Sequence, residues 1–218
     1  MNQQERQNLR KSRIAARDAL SAEERDYLSK SIVSRILASP VFRQAKTILI
    51  YKGIRGEVRL EALEEAVSAG AASPSEEAMH TRAAGPSEEA VSADFAEKRL
   101  VYPLCISKTE MIALEPLGED SWKDGYCGIR EPVREMSVEI RPEEIDLVIC
   151  PCTVFDEAGG RMGMGAGFYD RYLPRCTNAH IVAVAFEAQK ADCVPMEAWD
   201  RPMDLVFTEK AVYCATRK

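Results

Sequence analysis

The chain has 218 residues, 46% of them hydrophobic, and a formal net charge of −6. That length suits one domain with a sizeable core, and the acidic balance argues against a general nucleic-acid or anionic-membrane binder. No apolar run approaches the roughly 20 residues that span a bilayer. The opening MNQQERQNLRKSR lacks the apolar core of a signal peptide, and Glu5 and Asp18 speak against a transit peptide, so a cytoplasmic protein is expected.

Residues 3–20 read as a helix on which Leu9, Ala16 and Leu20 share a face, with Arg6, Arg10, Lys11, Arg13 and Arg17 around it. Ser21 and Glu24 form a capping box that starts a second helix, to about Ala38, where Pro40 stops it. AKTILIY (45–51) reads as a buried strand, and an amphipathic helix begins at Glu57 and ends at a Gly70 cap. LVYPL (100–104) and MIALEPL (111–117) read as strands. IDLVICP (145–151), HIVAVAF (180–186) and the weaker MDLVFTE (203–209) are continuous apolar runs, the mark of strands covered on both faces. Strands separated by helices predict an α/β fold: a three-layer sandwich around a mostly parallel sheet, one domain over residues 1–218 with an N-terminal helical pair.

One segment breaks the pattern. EEAVSA occurs at 64–69 and 88–93, and PSEEA at 74–78 and 86–90. So short a double repeat indicates a local duplication, and its Ala, Ser, Glu and Pro content leaves little apolar surface to pack. Residues 70–96 are therefore read as a flexible insertion, and His80 inside it is given no catalytic role. The seven cysteines are scattered, with only a CxC at Cys150 and Cys152, and His80 and His180 are the only histidines. Reduced thiols packed as small hydrophobes are expected, with a redox or metal role as the alternative.

The stretch GGRMGMGAGFYDRY (159–172) packs five glycines between Gly159 and Gly167, followed by Phe168, Tyr169, Asp170 and Arg171. It lies after the covered strand IDLVICP and before a helix, and open α/β sheets bind ligands at the carboxyl ends of strands. Glycines let backbone N–H groups approach a phosphate, a helix N-terminus favours its charge, and Arg161 adds a bidentate cation. Gly163–Gly167 is GxGxG. The dinucleotide fingerprint fails because Phe168 stands where glycine is needed, and no Gly-Lys-Ser/Thr follows for a Walker loop. The competing reading is a glycine-rich turn without ligand. Asp170, and Asp200 in MEAWDRPMD, are the candidate magnesium carboxylates; Asp170 also reads as an acid stabilised in a first helical turn.

These residues resemble those of the 5-formyltetrahydrofolate cyclo-ligase (methenyltetrahydrofolate synthetase) family. VFDEAGGRMGMGAGFYDRYL is similar to its signature, and RQNLR, LSAEER, YKGIRGEVRL, GIREP, VAFEAQ and WDRPMDLVFTE are similar to its other segments, in the family's order. The resemblance covers nearly the whole chain apart from the insertion. It implies ATP- and magnesium-dependent conversion of 5-formyltetrahydrofolate to 5,10-methenyltetrahydrofolate, with release of ADP and phosphate. The formyl oxygen would be phosphorylated and a folate nitrogen would then attack the activated carbon.

By the same resemblance, Arg6, Arg10, Arg161, Met162, Gly163, Met164, Gly165, Ala166, Gly167, Phe168 and Tyr169 would hold ATP. Tyr169 and Arg161 would be catalytic. Lys52, Glu57, Met164 and Phe168 would bind the folate, Glu57 accepting two N–H bonds from its pterin ring. Asp170 and Asp200 would hold magnesium. The partners implied are small molecules, with no nucleic acid or membrane, and the chain is expected to be a monomer. Arg6 and Arg10 as a solvated helix face, Glu57 as a helix N-terminal acid and Tyr169 as half-buried packing remain open, as does a nucleotide-binding paralogue with another substrate. Arg6 stands where the family usually has lysine and Ala166 where glycine is commonest. If position 166 needs a positive φ, alanine costs about 1 kcal/mol or more.

Overall fold

The structure is a computed structural model that describes residues 2–71, 95, 97–125, 128–197 and 200–215. Five helices and twelve strands are formed by the described residues. Helix α1 spans Gln3–Asp18, α2 Ala22–Ala38 and α3 Pro40–Gln44. Strand β1 (Thr47–Leu49) leads to α4 (Glu61–Ala71). The chain continues through β2 (Arg99–Cys105), β3 (Met111–Pro116), β4 (Trp122–Asp124), β5 (Arg130–Pro132), β6 (Ser137–Ile140) and β7 (Leu147–Pro151). Then follow β8 (Val154–Phe155), β9 (Arg161–Met162), the single-turn α5 (Phe168–Tyr172), β10 (His180–Val184), β11 (Leu205–Phe207) and β12 (Val212–Cys214).

The main sheet has eight strands in the order β12-β11-β10-β7-β1-β2-β3-β6. The pairings from β11 through β2 are parallel, and β12, β3 and β6 add antiparallel edges. Alternation along the central strands builds two cores. Ile48, Leu147, Ile149, Val182 and Val184 point to one face, under Ile32 and Ile36 of α2 and Leu63 and Val67 of α4. Leu49, Val148, Cys150, Ile181 and Ala183 point to the other, against Tyr172 of α5 and Leu173. Helices thus cover both faces of a mostly parallel sheet, the expected three-layer α/β architecture.

The capping box at Ser21 and Glu24 forms as read. The two N-terminal helices then part company. Helix α2 lies on the sheet with α3 and α4, while α1 packs against β8 and the 3-10 turn Glu187–Gln189. Pro40 does not only stop α2. It opens α3, whose Ser39 cap accepts from the Phe42 amide at 3.3 Å.

Two boundaries differ from the sequence reading. Helix α4 starts at Glu61, not Glu57, because Arg55 and Gly56 take left-handed φ of 47° and 78° and turn the chain first. Gly70 is buried inside α4 instead of capping it: a Cβ there would meet Phe95 Cβ at 2.3 Å and its Cα at 3.3 Å, so the missing side chain lets the Phe95 main chain come close. Most of the insertion read over 70–96, His80 included, lies outside the described residues. No helix among the described residues is long and apolar enough to cross a membrane.

Candidate functional site

The chain leaves β7 at the carboxyl edge of the sheet and enters a short hairpin, β8–β9, before the glycine loop. Buried Asp156 sets the hairpin turn. Its Oδ1 accepts from the Ala158 and Gly160 amides at 3.0 and 2.8 Å, and its Oδ2 accepts from the Val194 amide at 2.7 Å. The five glycines therefore divide. Gly159 serves this turn at φ 87°, where a Cβ would lie 2.5 Å from the Met203 carbonyl oxygen. Gly163, Gly165 and Gly167 line a cavity of about 330 Å³.

Every residue given an ATP, folate or magnesium role from the sequence lines that cavity: Arg6 and Arg10 from α1, Lys52 and Glu57 from the segment after β1, Arg161 and Met162 from β9. Gly163 through Asp170 and Asp200 complete the set. The expected helix after the loop is shorter than its sequence suggested, since α5 gives way to a 3-10 turn at Leu173–Arg175.

Arg161 is the buried cation of the site, its side chain 4% exposed. Its Nη2 donates to Asp170 Oδ1 at 2.5 Å and its Nη1 to the Pro151 carbonyl at 3.5 Å, while its Nε has no partner. Its guanidinium lies 5.8 Å from the Tyr169 ring centre. The Tyr169 hydroxyl is also buried without a partner, and burial pushes its phenol well above the ordinary range, so it stays protonated.

From α1, Arg10 Nε donates to the Gly163 carbonyl at 3.1 Å. Arg6 donates to the Pro195 carbonyl at 3.1 Å and pairs with Glu197. These contacts exclude the solvated-face alternative for both arginines. Arg171 was noted only as a companion of the glycines. It ties the loop down by donating to the Ala166 and Thr109 carbonyls at 2.8 and 2.7 Å.

Glu57 sits in a tight turn. Its amide donates to the Ile54 carbonyl at 2.9 Å, and its Oε2 accepts from the Ile54 amide at 3.1 Å. Burial raises its carboxyl above the usual range, against the hydrogen bond from Ile54 and the charges of Arg17 and Arg55. Lys52 Nζ pairs with Glu64 Oε1 at 2.5 Å and lies 5.1 and 5.0 Å from the Tyr102 and Trp122 ring centres. The sequence reading missed Tyr102 and the β4–β5 hairpin residues Ile129–Pro132, which also line the cavity. GIREP pointed to that hairpin only through its resemblance.

Burial pushes the Cys150 and Cys152 thiols up to about 12, so both stay protonated and unreactive. Among the described residues no group of three His, Cys, Asp or Glu side chains is placed to hold a metal. Two carboxylates do face the cavity. Asp170 is 45% exposed, and Asp200 Oδ2 accepts from the Glu197 amide at 2.8 Å. One or two carboxylates completed by substrate oxygens is a set that suits magnesium.

Arg55 alone among the described non-glycine residues has a positive φ. Ala166 therefore carries no left-handed strain, unlike Gly165 at φ 103°. Ala166→Gly is expected to keep turnover and to cost up to about 1 kcal/mol through the unfolded chain, whereas Gly165→Ala is expected to cost more and to impair turnover. Urea unfolding and initial rates of both variants check this, and equal stability of the two would contradict it.

Comparison with known proteins gives one answer throughout. Residues 87–209 match the 5-formyltetrahydrofolate cyclo-ligase family. The chain is 30% identical to Aquifex aeolicus 5,10-methenyltetrahydrofolate synthetase in a solution structure that superposes with a TM-score of 0.75, covering 98% of this chain and 94% of that one. A Mycoplasma pneumoniae 5,10-methenyltetrahydrofolate synthetase structure is 25% identical with a TM-score of 0.67, over 94% of this chain and 98% of its own. The Haemophilus influenzae protein named 5-formyltetrahydrofolate cyclo-ligase is 27% identical over 207 residues, 93% of this chain and 97% of its own.

Proposed function

Since the chain is an enzyme belonging to the 5-formyltetrahydrofolate cyclo-ligase family, we propose that it converts 5-formyltetrahydrofolate to 5,10-methenyltetrahydrofolate at the expense of ATP, releasing ADP and phosphate. The observation that carries this is one cavity lined both by the nucleotide-side residues Arg6, Arg10 and Gly163–Gly167 and by the folate-side residues Lys52 and Glu57.

In this reading the γ-phosphoryl group passes to the formyl oxygen, the neighbouring folate N–H nitrogen attacks the formyl carbon, and phosphate leaves with that oxygen and takes up the proton that the nitrogen loses. Phosphoryl transfer needs positioning and charge neutralisation more than a protein nucleophile. Arg161 supplies buried positive charge at the loop, and Arg6 and Arg10 reach it from α1. The loop amides close on the triphosphate, while Met164 and Phe168 cover the folate side. The unpartnered Tyr169 hydroxyl is a neutral donor at the reacting centre. Asp170 and Asp200 would hold magnesium, which when bound neutralises phosphate charge.

The test is absorbance of the conjugated methenyl product. A rise that requires ATP supports the proposal, and none in a folded, ATP-binding protein overturns it. A pH dependence follows from Glu57. Its carboxylate must be ionised to accept two N–H bonds, so folate affinity is lost as the pH falls through its pKa. Because burial raises that pKa, the loss starts at a higher pH than for an ordinary glutamate near 4.3. The folate KM is therefore expected to climb on the acid side. In Glu57→Gln it is expected to be raised by roughly a hundredfold and to lose that limb. An unchanged limb in Glu57→Gln would assign it to another group.

A further inference from the structure

Arg6, Arg10, Arg13 and Arg17 stand at i, i+4, i+7 and i+11, the spacing of one face of α1. The first two reach the nucleotide side. Arg17 does not line the cavity, yet its residue is only 1% exposed, an unusual burial for an arginine. Its Nε donates to Asp18 Oδ1 at 3.1 Å, and its Nη1 has no partner. The side chain lies against the Ile54–Glu57 turn: a Cβ on Gly56 would stand 3.6 Å from Arg17 Nε, 3.5 Å from Asp18 Oδ1 and 3.5 Å from Arg25 Nε.

We propose that Arg17 is a positioning residue for folate binding, which supplies the countercharge of the buried Glu57 carboxylate and holds the turn that presents it to the cavity. This rests on Glu57 being the carboxylate that binds the pterin ring.

The surroundings of Glu57 leave few other sources of charge. Tyr51 from the β1 end, Tyr169 from α5 and Cys152 after β7 face it, and burial keeps all three protonated and neutral. Arg55 belongs to the same turn but is exposed, so water and salt weaken its charge. Asp18 and Arg25 lie at the turn with opposite signs. Arg17 is the buried cation, and the buried position is where a charge acts with least screening. Its placement on α1 also connects the two halves of the site. The helix that brings Arg10 to the glycine loop brings Arg17 to the folate-side turn, seven residues or about 10.5 Å further along.

The experiment follows Glu57 directly by carboxyl-carbon NMR of glutamate-labelled protein, with Glu57→Gln identifying the signal. In Arg17→Met the titration midpoint is expected to rise by about one pH unit, and in Arg17→Lys by clearly less. The KM for 5-formyltetrahydrofolate below that midpoint is expected to rise about tenfold in Arg17→Met, while the KM for ATP stays within about twofold. Arg17→Gln gives the same comparison where Arg17→Met does not fold. An unmoved midpoint in a folded, uncharged variant overturns the countercharge whatever happens to KM. A moved midpoint with an unmoved folate KM overturns the link to folate instead, and with it the role given to Glu57.

Discussion

Replacing Arg161 by methionine is expected to lower kcat by about a thousandfold or more while leaving a folded protein. A positioned cation on a transferring phosphoryl group contributes on that scale, because it acts in a dry site and needs no reorganisation during the reaction. Arg161 meets those conditions: 4% side-chain exposure, one acid partner, and an Nε still without one. The fold should survive because the acid left behind, Asp170, is 45% exposed and can be hydrated. Lysine should restore little, since a point charge cannot reproduce two donors aimed at Asp170 and Pro151. Product absorbance gives kcat and circular dichroism gives the melting point. A folded Arg161→Met with kcat within tenfold of the parent would remove Arg161 from the chemistry.

Asp170→Ala should be nearly as damaging, for two separable reasons. The first is loss of the carboxylate proposed above to hold magnesium, which is expected to abolish turnover at ordinary magnesium concentrations. The second is loss of the acid that balances Arg161, which leaves a buried guanidinium uncompensated. Breaking a fully buried pair costs about 3–5 kcal/mol. With Asp170 almost half exposed the cost should be nearer 1–2 kcal/mol, a lowered melting point in a protein that still folds. A magnesium titration separates the two effects. A metal role predicts a much higher magnesium concentration for half-maximal rate in Asp170→Asn. A rate that falls while the half-maximal concentration stays put would leave Asp170 as the partner of Arg161 only.

Legibility from the sequence followed the range of the interactions. The capping box at Ser21 and the three covered strands were readable because their signals are local: a four-residue hydrogen-bond pattern, and apolar runs that suit no exposed position. Helix α4 was misplaced by four residues because Arg55, whose side chain shows no preference for left-handed backbone, adopts it anyway to turn Glu57 inward. Strands β4, β5, β8 and β9 have two or three residues each, too few for a period, and exist through pairing. The glycine loop was legible because so dense a cluster has few purely structural uses. Even there, the assignment of Gly159 to a turn and of Gly163 to the cavity depended on Met203 and Arg10, far off in sequence. Arg17 was visible as one arginine among several, and nothing local marked it as the one that would be buried.

The docking of α1 also has a consequence for how the protein is made. Its contacts to Gly163 and Pro195 span 153 and 189 residues of chain. During synthesis, Arg6 and Arg10 lack these partners until the last third of the chain has emerged. The sheet centre can pair once β7 is out, but the cavity lining is complete only when α1 reaches Gly163 and Pro195. Contacts of such separation are slow to form, because the loop entropy is spent before they return any stability. Activity should therefore be the last native property to appear during refolding, after most of the secondary structure is already in place.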